Sequence, residues 1–178
     1  MIPDTGDCPV TRGAIKHAKK ESSMETVGLG FYFEDMPVGR TFRTIGRTVT
    51  EPDLINYINC LGLVEVLFTN AEFRAKESDI KGRLVPGLLA QGFAEGLLIQ
   101  ATMQYTAFAL LEVNMKMENA CFVGDTIHVE VEVLEARLSN SRPGRGILRT
   151  RNRVVRQDGT VILTYLPVRM VKCRNVPQ

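Results

Sequence analysis

Histidine is scarce in this chain, cysteine is scattered, and no long apolar run is present. The 178 residues contain two histidines and four cysteines, Cys8, Cys60, Cys121 and Cys173, with no CxxC pair. Zinc centres draw on closely spaced Cys and His, so no metal site is expected. Unpaired cysteines suit a reducing compartment, and the N-terminus has no apolar h-region of a secretory signal. A cytoplasmic protein is the expectation. No stretch reaches ~18 clean apolar residues, so no membrane span is expected either. Acidic residues are missing from one end. From Arg137 onward there are ten basic residues and one acidic, Asp158, against twelve basic and nineteen acidic before it. That asymmetry marks either an anion-binding surface or a solvated face. The basic end has one aromatic, Tyr165, and no nucleic-acid-binding motif, so nucleic acid is not the expected partner.

What the chain does have is an apolar stretch from Leu84 to Leu111 with one charge, Glu95. Leu88, Leu89, Phe93, Leu97, Ile99 and Met103 spread round the whole circumference at helical spacing, which predicts a helix buried on all sides over 87–104. Gly87, Ala90, Gly92, Ala94 and Gly96 let another backbone approach. Pro86 suits a helix start.

Residues 1–30 read as a polar N-terminal arm containing His17, a solvated surface residue on composition, and residues 31–178 as one domain. Pro37-Val38-Gly39 is a turn, followed by a strand running to Thr50. Thr50-Glu51-Pro52-Asp53 starts a helix with Leu54, Tyr57, Ile58 and Leu61 on its buried stripe and Gly62 as its stop. A second short helix begins at Thr69-Asn70-Ala71-Glu72. After the apolar stretch the period changes to two. Leu111, Val113, Met115 and Met117 alternate with polar residues, and so do Ile127, Val129, Val131 and Val133. Two more strands, 147–156 and 160–172, flank an Asp158-Gly159 hairpin. Pro167 suggests an edge or a bulge. The fold class is α+β, with one antiparallel sheet curled round a long central helix.

Four segments in this order resemble the MaoC-like dehydratase and (R)-specific enoyl-CoA hydratase family, which has a hotdog fold. They are YFEDMPVGRTF, AEFRAKESDIKGRLVPGLLAQGFA, CFVGDTIHVEVEV and RNRVVRQDGTVIL, and the resemblance covers roughly 31–174. It implies a single hotdog fold and lyase chemistry on enoyl-CoA or 3-hydroxyacyl-CoA thioesters. It also implies a homodimer with its acyl tunnel near the subunit interface. No cofactor is implied; acyl-CoA is the substrate or ligand.

The family's catalytic segment, Gly-Asp-x-Asn-Pro-x-His, falls on Gly62–Phe68. Leu63 stands at the Asp position, Glu65 at the Asn, Val66 at the Pro and Phe68 at the His. Pro86-Gly87 replaces the usual His-Gly at the helix entry. Leu63 and Phe68 can neither accept nor donate a proton, so the acid–base pair that would hold water is missing. The thioester-polarising part is retained in the Gly87 N–H, helped by the helix dipole. The pocket expected round it contains Leu63, Phe68, Tyr57 and Pro86. Glu65 is either a replacement base raised by apolar neighbours or a surface-loop carboxylate. Tyr57 and Asn59 are possible ligand hydrogen-bonders, with Tyr57 in the core as the plainer reading. The methionine-bearing strand 111–117 either lines an acyl tunnel or packs on the helix. His128 reads as the surface partner of Glu130. Arg149, Arg151 and Arg153 either pair across strands with Glu130, Glu132 and Glu135 or clamp coenzyme A phosphates. Arg142, Arg145, Arg156 and Arg174, with fewer acidic partners in view, are the candidates for coenzyme A phosphates. Three functions remain open: a lyase with altered residues, a thioesterase using Glu65, and a non-catalytic acyl-CoA binder or partner subunit.

Overall fold

The computed structural model describes residues 24–174. His17, Cys8 and most of the expected N-terminal arm lie outside the described residues. Eight strands and four α-helices follow in the order β1 (Thr41–Arg43), β2 (Arg47–Thr48), α1 (Glu51–Leu61), α2 (Val66–Thr69), α3 (Ala71–Lys76), β3 (Leu84–Val85), α4 (Gly87–Leu98), β4 (Ala107–Met117), β5 (Cys121–Phe122), β6 (Thr126–Leu138), β7 (Arg145–Arg156) and β8 (Val161–Lys172). The main sheet is six-stranded and antiparallel, in the order β1-β6-β7-β8-β4, with β2 also on β6; β3 and β5 form a separate ribbon.

Burial follows the period-two pattern where the sheet meets the helix. On β6, Ile127, Val129, Val131 and Val133 are buried while His128, Glu130 and Glu132 are half-exposed. Their inward face meets Leu89, Ala90, Ala94, Leu97 and Leu98 of α4, with Leu54 and Ile58 of α1 completing the core. Helix α1 begins where the sequence places it. The Asp53 carboxylate accepts from the Thr50 N–H and hydroxyl at 2.9 and 2.6 Å, and Gly62 ends the helix at φ 64°.

Several elements differ from expectation. Helix α4 stops at Leu98 and continues as a π-helical turn, Ile99–Met103. It is covered on one side only: Leu88, Gly92, Gly96 and Ile99 are exposed. All-round apolarity reported which residues could be buried, and the sheet of one chain covers just one face of a helix. The strand after it starts at Ala107 rather than Leu111, and it is exposed nearly throughout, with Met115 alone half-buried. Alternation predicted a half-buried strand, but β4 is an edge whose single neighbour is β8. The expected first strand is two short pieces broken at 44–46, and an extra short helix, α2, precedes the expected one. Pro167 lies on β8, between β7 and β4, so it is not at an edge; its missing N–H is tolerated where the β7–β8 ladder skips a pair of residues beside an irregularity in β4.

Candidate functional site

The β3–β5 ribbon delivers Pro86 to the start of α4, pairing Leu84 with Phe122 and Val85 with Cys121. Pro86 is the N-cap and no side chain caps the helix. The N–H groups of Leu89 and Ala90 both turn back to the Pro86 carbonyl, at 2.9 and 3.3 Å. Among the described residues neither the Gly87 nor the Leu88 N–H has an acceptor. Two free donors at a helix N-terminus make a site that favours a carbonyl or an anion.

Gly87 opens onto a cleft of about 430 Å³ lined by Leu63, Phe68, Leu84, Val85, Pro86, Gly87, Met117, Asn119, Ala120, Cys121 and Ile162. Met117 lies over the helix start: a Cβ on Gly87 would meet its Sδ at 2.8 Å. A side chain there would require the flexible end of Met117 to move aside. The lining contains no carboxylate, imidazole or amine. Its one titratable group is the Cys121 thiol, which burial pushes up to about 12, with Asp125 adding to the effect. That thiol is neutral near pH 7. Asn119 donates its amide to the Val161 carbonyl at 2.7 Å.

The segment between α1 and α2 is fixed from several sides. The Leu63 N–H bonds the Ile58 carbonyl at 3.0 Å. Arg83 grips the Phe68 carbonyl and is itself held by Glu51 at 2.7 and 2.9 Å; Arg74 reaches the same carbonyl at 3.3 Å. Leu63 and Phe68 both line the cleft. Glu65 does not line it. Exposed, it caps α2, its Oε2 accepting from the Leu67 N–H at 2.7 Å. Tyr57 packs against the core and does not line the cleft, and Asn59 is exposed.

The arginine ladder pairs across strands. Arg151 pairs with Glu132 at 2.6 Å, Arg153 with Glu130 at 3.0 Å and Arg149 with Glu135 at 3.3 Å, while His128 stands 3.8 Å from Glu130. The four phosphate candidates separate into two pairs. Arg156 is bound to Asp158 and lies 3.6 Å from Asp125, and Arg174 is bound to Asp35 at 2.7 Å. Both have the acidic partners that sequence alone did not bring into view. Arg142 is exposed with no partner among the described residues, and Arg145 stacks on the Phe108 ring at 3.4 Å.

Sequence reasoning missed Asn119 and Cys121, and offered Met117 only within a strand that either lines a tunnel or packs on the helix; the β3–β5 and β4–β8 pairings bring all three to the cleft. It also gave no role to Glu95. Its Oε2 meets Arg169 at 2.5 Å, tying α4 to β8. Glu95 Oε1, Arg169 Nε, Asn152 Oδ1 and the Tyr165 hydroxyl are buried without hydrogen-bond partners. Burial first, and the neighbouring Glu95 second, push the Tyr165 hydroxyl well above the usual phenol range. A lone charge in 28 apolar residues was the available signal. Among the described residues no cluster of side chains suits a metal, and no helix is long and apolar enough to cross a membrane.

No protein-family model matches the chain, and no curated protein matches it. Solved structures do. The MaoC-like dehydratase from Rhodospirillum rubrum matches with a TM-score of 0.72 at 23% identity, over 83% of this chain and 100% of its own. The (R)-hydratase PhaJ1 from Pseudomonas aeruginosa matches with a TM-score of 0.67 at 19% identity, over 84% and 95%. A double-hotdog protein of Mycobacterium tuberculosis matches with a TM-score of 0.73 at 22% identity, over 86% of this chain and 48% of that one. The chain has the hotdog fold, and its structural neighbours include MaoC-like dehydratases and (R)-hydratases.

Proposed function

We propose that this chain is a MaoC-type hotdog protein that holds an acyl-CoA thioester in the Gly87 cleft and does not hydrate it by the usual acid–base route. The observation that carries this reading is the free Gly87 N–H at an apolar cleft with no acid or base in its lining. A thioester carbonyl placed there receives that donor and the positive end of the helix dipole. Hydration needs more: a base to take a proton from water and an acid to deliver one to the α-carbon, each worth roughly 10²–10⁴-fold. Leu63 and Phe68 supply neither. Glu65, spent on the α2 cap, is not placed to replace them. The protein acts as a cytoplasmic homodimer and needs no cofactor.

A second reading, partner subunit to a catalytic hotdog chain, draws on one observation. The chain spans about half the length of the double-hotdog protein it matches. Hydratase activity that appears only when a second, Asp/His-bearing hotdog chain is mixed in would favour it.

The test is calorimetry with acetyl-CoA and butyryl-CoA, alongside an assay for loss of the crotonyl-CoA absorbance. Binding without turnover is expected. Gly87→Pro keeps a first-turn helix residue but removes its N–H, and should weaken binding about tenfold, the loss of one hydrogen bond. Gly87→Ala is its control for size. Turnover of several per second, unchanged in Glu65→Gln, would overturn the proposal.

A further inference from the structure

Three cations converge beside the Gly87 cleft. Arg74, Lys81 and Arg83, with Ala71, Ala75 and Gly82, line a second hollow of about 320 Å³. Phe68 stands between the two spaces. It lines the cleft, while its carbonyl accepts from both Arg83 and Arg74. Leu84, the residue after Arg83, lines the cleft as well.

The three charges are held in place, but only one is paired. Arg83 lies 2.6 Å from Glu51, and the same carboxylate feels Arg74 at longer range. Arg74 donates through Nη1 alone, to the carbonyls of Leu67 and Phe68 at 3.3 Å each. Its Nε and Nη2 have no acceptor among the described residues. Lys81 donates to the carbonyls of Ser78 and Ala75 at 2.7 and 3.3 Å, and it too has no ion-pair partner among the described residues. Capping the end of α3 accounts for the place of Lys81, but not for the open side of Arg74. Neutral carbonyls orient a cation without cancelling its charge, so the hollow favours an anion with several oxygens.

The reach is also right. Six residues separate Lys81 from Gly87, at most about 21 Å of extended chain. That is comparable to the pantetheine arm between the thioester of an acyl-CoA and its phosphates. The other unpaired cations stand far off on the same chain. Arg145 stacks on Phe108, nine residues along β4 from the Met117 that covers Gly87, about 30 Å at 3.4 Å per residue.

We propose that Arg74, Lys81 and Arg83 form the phosphate site for the acyl-CoA whose thioester lies in the Gly87 cleft. Phosphate oxygens take the open side of the Arg74 guanidinium and the Lys81 ammonium. Arg83, tied to Glu51, fixes the Phe68 wall between phosphate and thioester. This inference rests on the acyl-thioester reading and adds the place of the coenzyme's charged end.

The experiment compares two ligands by calorimetry on the full chain: acetyl-CoA, and S-acetylpantetheine, which keeps the thioester and lacks the phosphates. Acetyl-CoA should bind the wild type roughly tenfold or more tightly than S-acetylpantetheine. Arg74→Gln with Lys81→Gln should remove that advantage and leave S-acetylpantetheine within about twofold. Lys76→Gln, on the same helix but paired with Glu72 and outside the hollow, should change neither. On the unmodified protein, acetyl-CoA should protect Lys81 but not Lys76 from an amine-labelling reagent, and S-acetylpantetheine should protect neither. Equal affinity of the wild type for the two ligands, an equal loss for both in the double variant, or Lys81 labelled as fast with acetyl-CoA as without it would overturn the phosphate site and leave the thioester reading standing. A wild type that binds neither ligand would instead overturn the thioester reading, and the site's ligand with it.

Discussion

The two edges of the main sheet are built on opposite terms. At one end β1 and β2 are two or three residues long and broken at 44–46. Asp–Arg and Glu–Arg pairs hold this end: Arg47 with Asp53, Arg83 with Glu51 and Arg174 with Asp35. At the other end β4 is continuous, apolar and uncovered. Short, interrupted, charged edges resist pairing, whereas long apolar ones invite it. The difference shows that one sheet can end in short, polar strands on one side and a long, exposed apolar strand on the other.

The largest effect should come from placing a charge on the open edge. Leu111→Lys should raise the dimer dissociation constant roughly 100-fold, about 2.7 kcal/mol, because a homodimer that covers this edge buries the charge without a partner. Thr41→Lys on β1 should leave it unchanged. Sedimentation equilibrium of both variants checks the contrast, and equal effects would erase it.

Acid should act on the other edge. A hydrogen bond from Arg83 holds Glu51 below the usual carboxylate range, and hydrogen bonds from Thr50 do the same for Asp53. Burial alone would raise Asp35, but hydrogen bonds from Tyr32 and Arg174 more than offset it and leave it lowered. A carboxylate lowered on folding stabilises the native state above its unfolded pKa, and that contribution is lost as pH falls through the folded one. Below about pH 4 hydrogen exchange should therefore quicken at β1, β2 and the start of α1 before it does at β7 and β8. The reverse order would contradict the assignment.

A smaller change isolates the cap. Asp53→Ala removes the bonds to Thr50 and Arg47 and should cost about 1 kcal/mol in chemical denaturation, with dimer affinity unaltered. The slightest perturbation is chemical. Exposed Cys60 should alkylate readily at pH 8, while Cys121, its thiol near 12, should react only on unfolding. Peptide mass spectrometry distinguishes the two.

Elements governed by short-range rules were legible. The Thr50–Asp53 start and Gly62 stop of α1, the alternation on β6 and the Asp158-Gly159 hairpin need only neighbouring residues to specify them. Leu63 and Phe68 line the Gly87 cleft, and neither side chain is ionisable. Glu65 was harder to place. The same carboxylate serves as a base in a pocket or a cap on a helix, and α2, four residues long, gave too short a pattern to announce itself. The arginines divide likewise: Arg156 meets the adjacent Asp158 and also the distant Asp125, and Arg174 meets Asp35 from the far end of the chain.

By itself the sequence determined that an apolar helix would meet an antiparallel sheet, and that Leu63 and Phe68 carry no ionisable group. Each follows from side-chain chemistry or a period of two or 3.6. Tertiary structure decided which face of that helix is covered, which strand is left as an edge, and which residues join Gly87 at the cleft. Met117, Asn119 and Cys121 arrive there from thirty or more residues away in sequence, because β3 pairs with β5 and β4 with β8. Pairing register over such separations belongs to the whole packed chain, and no local pattern encodes it.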